Sequence, residues 1–347
     1  MKKTDYIIVG CGLASIAFCE QLRAQNKSFM VFDDASQKSS IVAAGLYNPV
    51  ILKRFTEVWK AKEQLDIALP VYKTLERDLN ITIDNKLKLL RRFTSIEEQN
   101  LWFNACDKIN LEPFLSTQIL KNTNPFIDAQ YGFGQVLQTG RLDTEVLIKA
   151  YKAFLTDKNW FFNTKFQYNK LQIATNKLNY EDIEAQYIVF SEGFGVKQNP
   201  FFKHLPLNGT KGEVLTIKAP DLKLDFGIKS SVFLVPIGND KYYVGATYNW
   251  KDKTHLTTEE GKNELVAKLR TFMTCDFNII NQRAGIRPTV KDRRPLVGRH
   301  ADYKNLYILN GLGTRGVMIA PYVADKLYKY IENKQPLDPE INSNRFQ

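Results

Sequence analysis

The sequence has few histidines and cysteines, which excludes several kinds of active site. Its three histidines lie far apart in 347 residues, so neither a histidine-rich metal centre nor a Ser-His triad is expected. The four cysteines, at positions 11, 19, 106 and 275, form no CxxC pair and lack the spacing of zinc ligands. We therefore predict reduced thiols, a cytoplasmic protein and no metal site.

Long apolar runs are also missing. The longest uncharged run near the N-terminus, from Tyr6 to Cys19, has 14 residues, whereas a membrane-spanning helix needs roughly 20. Lys2 and Lys3 precede this run, as basic residues do in a secretory signal peptide. However, Asp5 follows them and two glycines interrupt the apolar run, which is not typical of a signal peptide. The sequence thus predicts neither a membrane anchor nor secretion.

No Pro/Gly/Ser-rich linker, internal repeat or low-complexity tract divides the chain. The composition, 44% hydrophobic and 24% charged residues, is that of an ordinary globular protein and excludes intrinsic disorder. The length suggests about two domains. Without a linker between them, we expect two domains woven together by more than one chain crossing.

Hydrophobic patterning predicts a strand, helix, strand opening. An apolar run over residues 5–10 ends in glycine, a helical pattern follows over 13–25, and a second apolar run covers 28–32. Because parallel strands need a crossover connection, this unit implies a doubly wound sheet. Further helices are predicted over 57–80 (kinked or divided at Pro70), 143–155 and 317–331, and further strands over 161–171, 186–191, 232–237, 242–246 and 305–309.

A glycine motif lies in the first strand-to-helix turn. Gly10 permits the tight turn and Gly12 permits close approach of a pyrophosphate, which the free N–H groups of the helix would attract. The third glycine of the usual pattern is replaced by Ser15. Asp33 ends the second strand, where a carboxylate can accept both ribose hydroxyls, and this disfavours a 2′-phosphate. The motif predicts a dinucleotide site but does not decide between FAD and NAD.

The charge surplus of 11 is concentrated near the C-terminal third. The segment from Arg283 to Arg299 contains six basic residues and one acidic residue, Asp292. A solvated loop and a binding surface for an anionic substrate both explain such a run.

Several later segments occur in the order seen in the D-amino acid oxidase superfamily of flavoproteins, which includes the glycine oxidases. These segments are Ser39–Leu46, Thr139–Asp143, Val244–Tyr248, Ala284–Pro288 and Asp292–Gly298. The chain more closely resembles the C-terminal FAD domain of the tRNA 5-methylaminomethyl-2-thiouridine biosynthesis proteins. That likeness rests on Ser15, Leu46–Pro49, Leu312–Gly316 and the tail Asn342–Arg345.

The resemblance implies a fold and a division into domains. It implies an α/β protein whose Rossmann-like FAD-binding domain is interleaved with an α+β substrate domain built on a mostly antiparallel sheet. We predict the FAD-binding domain over residues 1–60, 135–205 and 284–347. The substrate domain is predicted over residues 61–134 and 206–283.

The resemblance also implies which residues bind FAD. Since no cysteine lies in Ala284 to Thr289, the cofactor is expected to be non-covalent. The turn from Leu312 to Met318 would close over the pyrimidine end of the flavin, and Phe166, on an inner strand, would use its backbone against the adenine. The predicted cofactor residues are Gly10, Gly12, Leu13, Ala14, Asp33, Asp34, Ser39, Ser40, Ala44, Gly45, Leu46, Phe166, Leu312, Gly313, Thr314, Arg315, Gly316, Val317 and Met318.

Arg287 and Tyr248 are the candidate catalytic residues. A guanidinium can hold a substrate carboxylate through two hydrogen bonds, a role that the resemblance gives to Arg287; a buried structural salt bridge is the alternative. Tyr248 would form a wall of the substrate cavity or donate a hydrogen bond.

The predicted activity is FAD-dependent oxidation of the C–N bond of a glycine-type amine, with molecular oxygen as acceptor. One candidate substrate is the carboxymethylaminomethyl group of a tRNA wobble uridine, with the basic run around Arg293, Arg294 and Arg299 near the active-site mouth. The alternatives are an oxidase of free glycine, sarcosine or D-amino acids, and a flavoprotein that binds RNA or a partner without turnover. The sequence does not predict the oligomeric state.

Overall fold

The computed structural model describes residues 1–346, a mixed α/β chain. Its helices are α1 (Leu13–Ala24), α2 (Ser39–Val42), α3 (Ala61–Leu79), α4 (Ile96–Cys106), α5 (Thr144–Asp157), α6 (Glu259–Arg270) and α7 (Gly316–Glu332). Its strands are β1 (Lys2–Val9), β2 (Phe29–Phe32), β3 (Leu46–Tyr47), β4 (Val50–Ile51), β5 (Thr56–Glu57), β6 (Asp84–Lys86), β7 (Leu89–Arg92), β8 (Leu115–Leu120), β9 (Phe133–Val136), β10 (Gly140–Leu142), β11 (Phe161–Phe162), β12 (Leu171–Ile173), β13 (Leu178–Tyr180), β14 (Ile183–Phe190), β15 (Thr210–Lys218), β16 (Gly227–Lys229), β17 (Phe233–Pro236), β18 (Lys241–Gly245), β19 (Asn278–Arg287), β20 (Leu296–Arg299) and β21 (Leu306–Asn310).

The first large sheet is Rossmann-like. Strands β11, β2, β1 and β14 pair in parallel in that order, and β21 continues the parallel arrangement beside the C-terminal half of β14. The antiparallel strands β13 and β20 extend it. Helices α1, α3 and α7 pack together over one face, where Phe18, Leu22 and Leu327 are buried. The carboxyl ends of β1, β2 and β14 therefore meet at one edge, where the predicted nucleotide residues follow.

The second large sheet is mostly antiparallel. Its strand order is β19-β15-β18-β17-β16-β7-β9-β8, and only β16 and β7 pair in parallel. One face is apolar and packs against α6 through side chains such as Leu215, Val244 and Leu265. The opposite face forms the wall of a cavity and carries three glycines together with larger side chains: Gly212, Gly245, Gly285, Val214, Phe233, Tyr243 and Arg287.

Helix α3 is one continuous helix despite the internal Pro70. It packs on α7, beside the first sheet, although residues 61–134 are predicted to belong to the substrate domain. The domain boundaries stay a prediction.

The predicted strand over 161–171 is replaced by two short strands, β11 and β12, with a loop and a short 3₁₀ turn between them. None of the helices within residues 1–346 combines the length and the apolar character that crossing a membrane requires.

Candidate active site

A cavity of about 770 Å³ lies between the two large sheets. It begins at the carboxyl ends of β1 and β2 and reaches the free face of the second sheet. Every predicted site residue lines it except Met318. Met318 is 1% exposed in the core beneath α7, and its N–H group donates to the carbonyl of Arg315, so the helical phase turns it away from the cavity.

The first turn has the geometry of a pyrophosphate site. Gly10 has φ +100°, and a Cβ atom there would lie 2.5 Å from the carbonyl oxygen of Ser191. Gly12 begins α1 with no side-chain cap, and α1 has no acid in its first turn. The backbone at Leu13 and Ala14 is thus at a positive helix end that faces the cavity, as a phosphate ligand requires.

Asp33 directly follows β2 and has three hydrogen-bond partners, of which the Ala35 N–H group donates to Oδ2 at 3.2 Å. Its Oδ1 atom accepts a hydrogen bond of 3.2 Å from the Cys11 N–H group, and its Oδ2 atom lies 2.5 Å from the Nζ atom of Lys152 on α5. Burial opposes ionisation of the neighbouring Asp34, but hydrogen bonds from Ser36 hold its pKa below the usual value. Lys152 was not predicted, because its approach to Asp33 depends on how α5 packs.

The cavity wall near Asp34 includes a loop. Phe166 lies between β11 and the 3₁₀ turn rather than on the predicted inner strand, and its ring stacks on Tyr180 with centroids 4.1 Å apart. Glu192 follows β14 and accepts hydrogen bonds from Tyr168 and Asn199. Burial raises the pKa of the Glu192 carboxyl to about 7.

The part of the cavity nearest the second sheet is bounded by the α2 region and by the turn before α7. Ser39 and Ser40 lie on α2, and a Cβ atom on Gly45 (φ +75°) would lie 1.8 Å from the carbonyl oxygen of Leu142. Across the cavity, Gly313 has φ +60° and open space beside it. The remaining predicted residues here, Ala44, Leu46, Leu312, Thr314, Gly316 and Val317, also line the cavity.

Helix α7 begins without a side-chain cap and without an acid in its first turn. Its N-terminus therefore presents a positive helix end to the cavity, where it can stabilise negative charge on a ligand. Of the four cysteines, all free and buried, only Cys11 lines the cavity, and it lies at the pyrophosphate turn. Burial raises the pKa of its thiol to about 12. These residues fit a non-covalent FAD.

Arg287 lies on the free face of the second sheet. A Cβ atom on Gly212 of the neighbouring β15 would lie 2.0 Å from its Nη2 atom, so the guanidinium rests directly over that glycine. Its Nη1 atom donates to the carbonyl of Thr247 at 3.3 Å, and its centre lies 4.5 Å from the ring centroid of Tyr248. Within residues 1–346 no carboxylate forms an ion pair with Arg287, which removes the structural salt bridge as an explanation.

Tyr248 and Arg315 complete this end of the cavity. Tyr248 is 57% exposed, so its ring forms part of the mouth. Arg315 donates from Nη1 to the carbonyl of Asn48 at 2.9 Å, and burial lowers the pKa of its guanidinium to about 10. Sequence reasoning placed Arg315 only at the cofactor turn and missed that it brings a second guanidinium to the cavity.

The basic residues predicted near the active-site mouth do not line the cavity. Arg293, Arg294 and Arg299 are not among the residues that line the cavity, and Arg294 pairs with Glu340. The basic residues that do line it are Lys53, Lys152, Lys165, Lys229, Lys268, Arg287 and Arg315. They come from several elements, so no local run of the sequence indicates them. Residues 1–346 contain no group of three or more His, Cys, Asp or Glu arranged to hold a metal ion.

The family model for FAD dependent oxidoreductases, DAO, matches residues 5–329. The chain belongs to this family. It is 22% identical over 357 residues to the glycine oxidase of Bacillus subtilis (strain 168), covering 95% of this chain and 94% of that protein. It is 26% identical over 156 residues to the tRNA 5-methylaminomethyl-2-thiouridine biosynthesis bifunctional protein MnmC of Campylobacter jejuni subsp. doylei, covering 42% of this chain and 25% of that protein.

The fold of this DAO-family protein is shared with solved structures. The crystal structure of glycine oxidase from Geobacillus kaustophilus matches it with a TM-score of 0.78 and 17% identity, covering 98% of this chain and 97% of that one. By its family, the protein is an FAD-dependent oxidoreductase.

Proposed function

We propose that this protein oxidises the C–N bond of a glycine-type amine, with molecular oxygen as the acceptor. The observation that carries the proposal is Arg287, a guanidinium without a carboxylate partner that rests over Gly212 in the wall of the FAD cavity. An uncompensated guanidinium in a cavity favours a carboxylate, which it holds by two parallel hydrogen bonds. Holding the carboxylate also fixes the direction of the adjacent Cα–H bond.

The protein's own contribution to the reaction is orientation and exclusion of water. FAD, when bound, supplies the acceptor for a hydride equivalent. Arg287 holds the carboxylate, and the Tyr248 ring covers the guanidinium and narrows the mouth. Loss of the hydride equivalent and one proton leaves an imine, which water hydrolyses. A neutral amine needs no strong general base, and none of the three histidines lines the cavity.

A second candidate is the carboxymethylaminomethyl group of a tRNA wobble uridine, which is itself an N-substituted glycine. The seven basic residues that line the cavity and the partial match to MnmC support it. Binding of hypomodified tRNA is then expected to weaken steeply between 50 and 200 mM salt, roughly as counterion release from several phosphates requires. Binding that is indifferent to salt would count against this substrate.

The test is an anaerobic titration of the FAD-loaded protein with glycine, sarcosine and hypomodified tRNA, in which loss of flavin absorbance is followed. Arg287→Met is expected to lower kcat/KM by about 10- to 150-fold, the effect of losing a charged hydrogen bond of about 1.5–3 kcal/mol. Arg283→Met is the matched control, because Arg283 lies on the same strand but pairs with Glu145 outside the cavity. Hydrogen peroxide release in air identifies oxygen as the acceptor.

Two results would overturn the proposal. If no amine bleaches the flavin, the alternative of a flavoprotein that binds RNA or a partner without turnover is favoured instead. If Arg287→Met and Arg283→Met behave alike, the carboxylate is held elsewhere.

A further inference from the structure

One lysine in the cavity wall, Lys229, has no part in the proposed oxidation. It is the last residue of β16, and it lines the cavity together with Ser231 and with Lys268 of α6. Its Nζ atom lies 4.7 Å from the ring centroid of Phe233, which also lines the cavity. The amine is therefore within reach of a ligand in the cavity, while an aromatic ring shields one side of it from water.

Lys229 is a poorly compensated cation. Within residues 1–346 no carboxylate forms an ion pair with it, and its Nζ atom donates a single hydrogen bond, a long one of 3.5 Å to the carbonyl of Ser231. An ammonium group has three N–H donors, so most of its hydrogen-bonding capacity is unused by the protein. Burial without such compensation disfavours the charged form of the amine.

The charged groups that face Lys229 from other elements are also cations. They are Arg91 of β7, which pairs with Glu98, and Lys268 of α6, which lies 2.5 Å from Glu264. Burial, and then the charges of Arg91 and Lys268, lower the pKa of Lys229 to about 8. At neutral pH the amine is then unprotonated in about one molecule in ten, against about one in 2,500 for an ordinary lysine.

An unprotonated lysine amine is a nucleophile toward carbonyl compounds. Desolvation and a neighbouring cation are the two features that activate lysines for imine formation. The nitrogen lone pair adds to the carbonyl carbon, a proton moves from nitrogen to oxygen, and loss of water leaves a C=N double bond. Water reverses the reaction, so no oxidant or other co-reactant is consumed.

The charge of the cavity wall favours one kind of carbonyl compound. The acids that line the cavity follow strands of the first sheet, whereas the charged residues contributed by the second sheet and α6 are all basic: Lys229, Lys268 and Arg287. An aldehyde that carries a carboxylate is attracted to this side of the cavity. Oxidation of a glycine-type amine at Cα, followed by hydrolysis of the imine, releases such an aldehyde, glyoxylate, into the same cavity.

We propose that Lys229 is a nucleophilic amine that forms a reversible imine with a small aldehyde carrying a carboxylate. The inference rests on the proposed function only for the source of that aldehyde. It adds a covalent site to the cavity, and it concerns the product of the oxidation rather than the amine substrate.

The test adds glyoxylate and sodium cyanoborohydride to the FAD-loaded protein at neutral pH, so that any imine is reduced to a stable secondary amine. Labelled lysines are then located by peptide mass spectrometry. Lys229 is expected to be labelled about 10-fold or more faster than Lys223, an exposed lysine that pairs with Asp240 and does not line the cavity.

Two comparisons separate the reactivity of the amine from access and from charge. Lys268 lines the same cavity but pairs with Glu264, so its labelling is also expected to be about 10-fold or more slower than that of Lys229. Acetaldehyde, which lacks the carboxylate, is expected to show a preference for Lys229 over Lys223 that is smaller by about 3-fold or more.

Lys229→Arg is the matched variant, because it keeps the charge and removes the amine. It is expected to abolish labelling at this position, while the FAD content and the labelling of Lys223 stay at the wild-type values.

Two outcomes would overturn the nucleophilic site: labelling of Lys229 no faster than that of Lys268, or no faster than that of Lys223. An equal preference with acetaldehyde would overturn the selection of a carboxylate. Failure of the proposed oxidation looks different, because no amine then bleaches the flavin while added glyoxylate still labels Lys229.

Discussion

At the scale of single residues, burial in the cavity wall shifts the pKa values of some ionisable side chains. Glu192 is the clearest example, because its carboxyl is buried between Tyr168 and Asn199 with Asp34 nearby. Both hydrogen bonds favour the charged form, yet burial outweighs them and the pKa is raised to about 7. The folded state therefore holds this proton at pH values where the unfolded chain has released it.

The protonated Glu192 predicts a pH dependence of stability. Its contribution is fully present below the ordinary glutamate pKa of about 4.5 and is lost as the pH rises to about 7, because the unfolded state releases its proton first. This change lowers the free energy of unfolding by about 3 kcal/mol at most. In urea unfolding, the free energy of unfolding of the wild type is expected to fall relative to that of Glu192→Gln between pH 4.5 and 7.5. Parallel pH profiles for the two proteins would contradict this prediction.

Site residues that belong to one local sequence pattern could be predicted from the sequence. Gly10, Gly12 and Asp33 follow from one strand-helix-strand pattern, because a turn and its flanking elements are encoded locally. Phe166 was wrongly placed on a strand, since the apolar run there folds partly as a loop. The sequence gave no signal that Lys229 lines the cavity, because its position there depends on a sheet register that joins segments far apart in the sequence.

At the scale of elements, the pairing of β15 with β19 leaves room for Arg287. The two strands are antiparallel, with Gly212 opposite Gly285 and Thr210 opposite Arg287. The guanidinium lies along the sheet surface over Gly212 because that residue has no side chain. Gly212 therefore determines the position of the guanidinium as much as Arg287 itself does.

Gly212→Ala is expected to displace the guanidinium, since the new methyl group would lie 2.0 Å from Nη2. We predict a fall in kcat/KM for glycine-type amines of about 10-fold or more, the cost of losing at least one charged hydrogen bond of about 1.5 kcal/mol. FAD content is expected to remain normal. Gly227→Ala on β16 is the control, because a Cβ atom there would lie 3.2 Å from a methyl group of Leu89, 3.4 Å from a methyl group of Leu87 and 3.7 Å from the carbonyl oxygen of Lys88, with no guanidinium among these neighbours. Equal activity of the two variants would show that Arg287 is not held in this way.

At the scale of the whole molecule, the cavity lies among three hydrophobic clusters. The first covers one face of the first sheet and continues to β7, β8 and β9, the second lies between the second sheet and α6, and the third covers the other face of the first sheet. The cavity is lined by residues from Val9 to Val317, which come from both sheets, so a cofactor held there is expected to bind the folded chain and not the unfolded one.

Stability is therefore predicted to depend on FAD concentration. At 100 times the dissociation constant, the cofactor adds about 2.7 kcal/mol to the free energy of unfolding, and each further tenfold increase adds about 1.4 kcal/mol. Thermal melting of the stripped protein with increasing FAD checks this. Riboflavin, which lacks the pyrophosphate and adenosine, is expected to shift the midpoint less at equal concentration. Equal shifts would mean that the turn at Gly10 and Gly12 contributes nothing to cofactor affinity.

The strands of the first sheet are synthesised in an order that determines when the cofactor site is complete. Strand β1 is made first, but its neighbour β14 comes some 180 residues later, and β21 and the turn before α7 come last. One edge of β1 therefore has no partner until β14 has been made, and the cavity is not complete until the turn before α7 has been made. FAD is thus expected to bind only after synthesis has passed this turn.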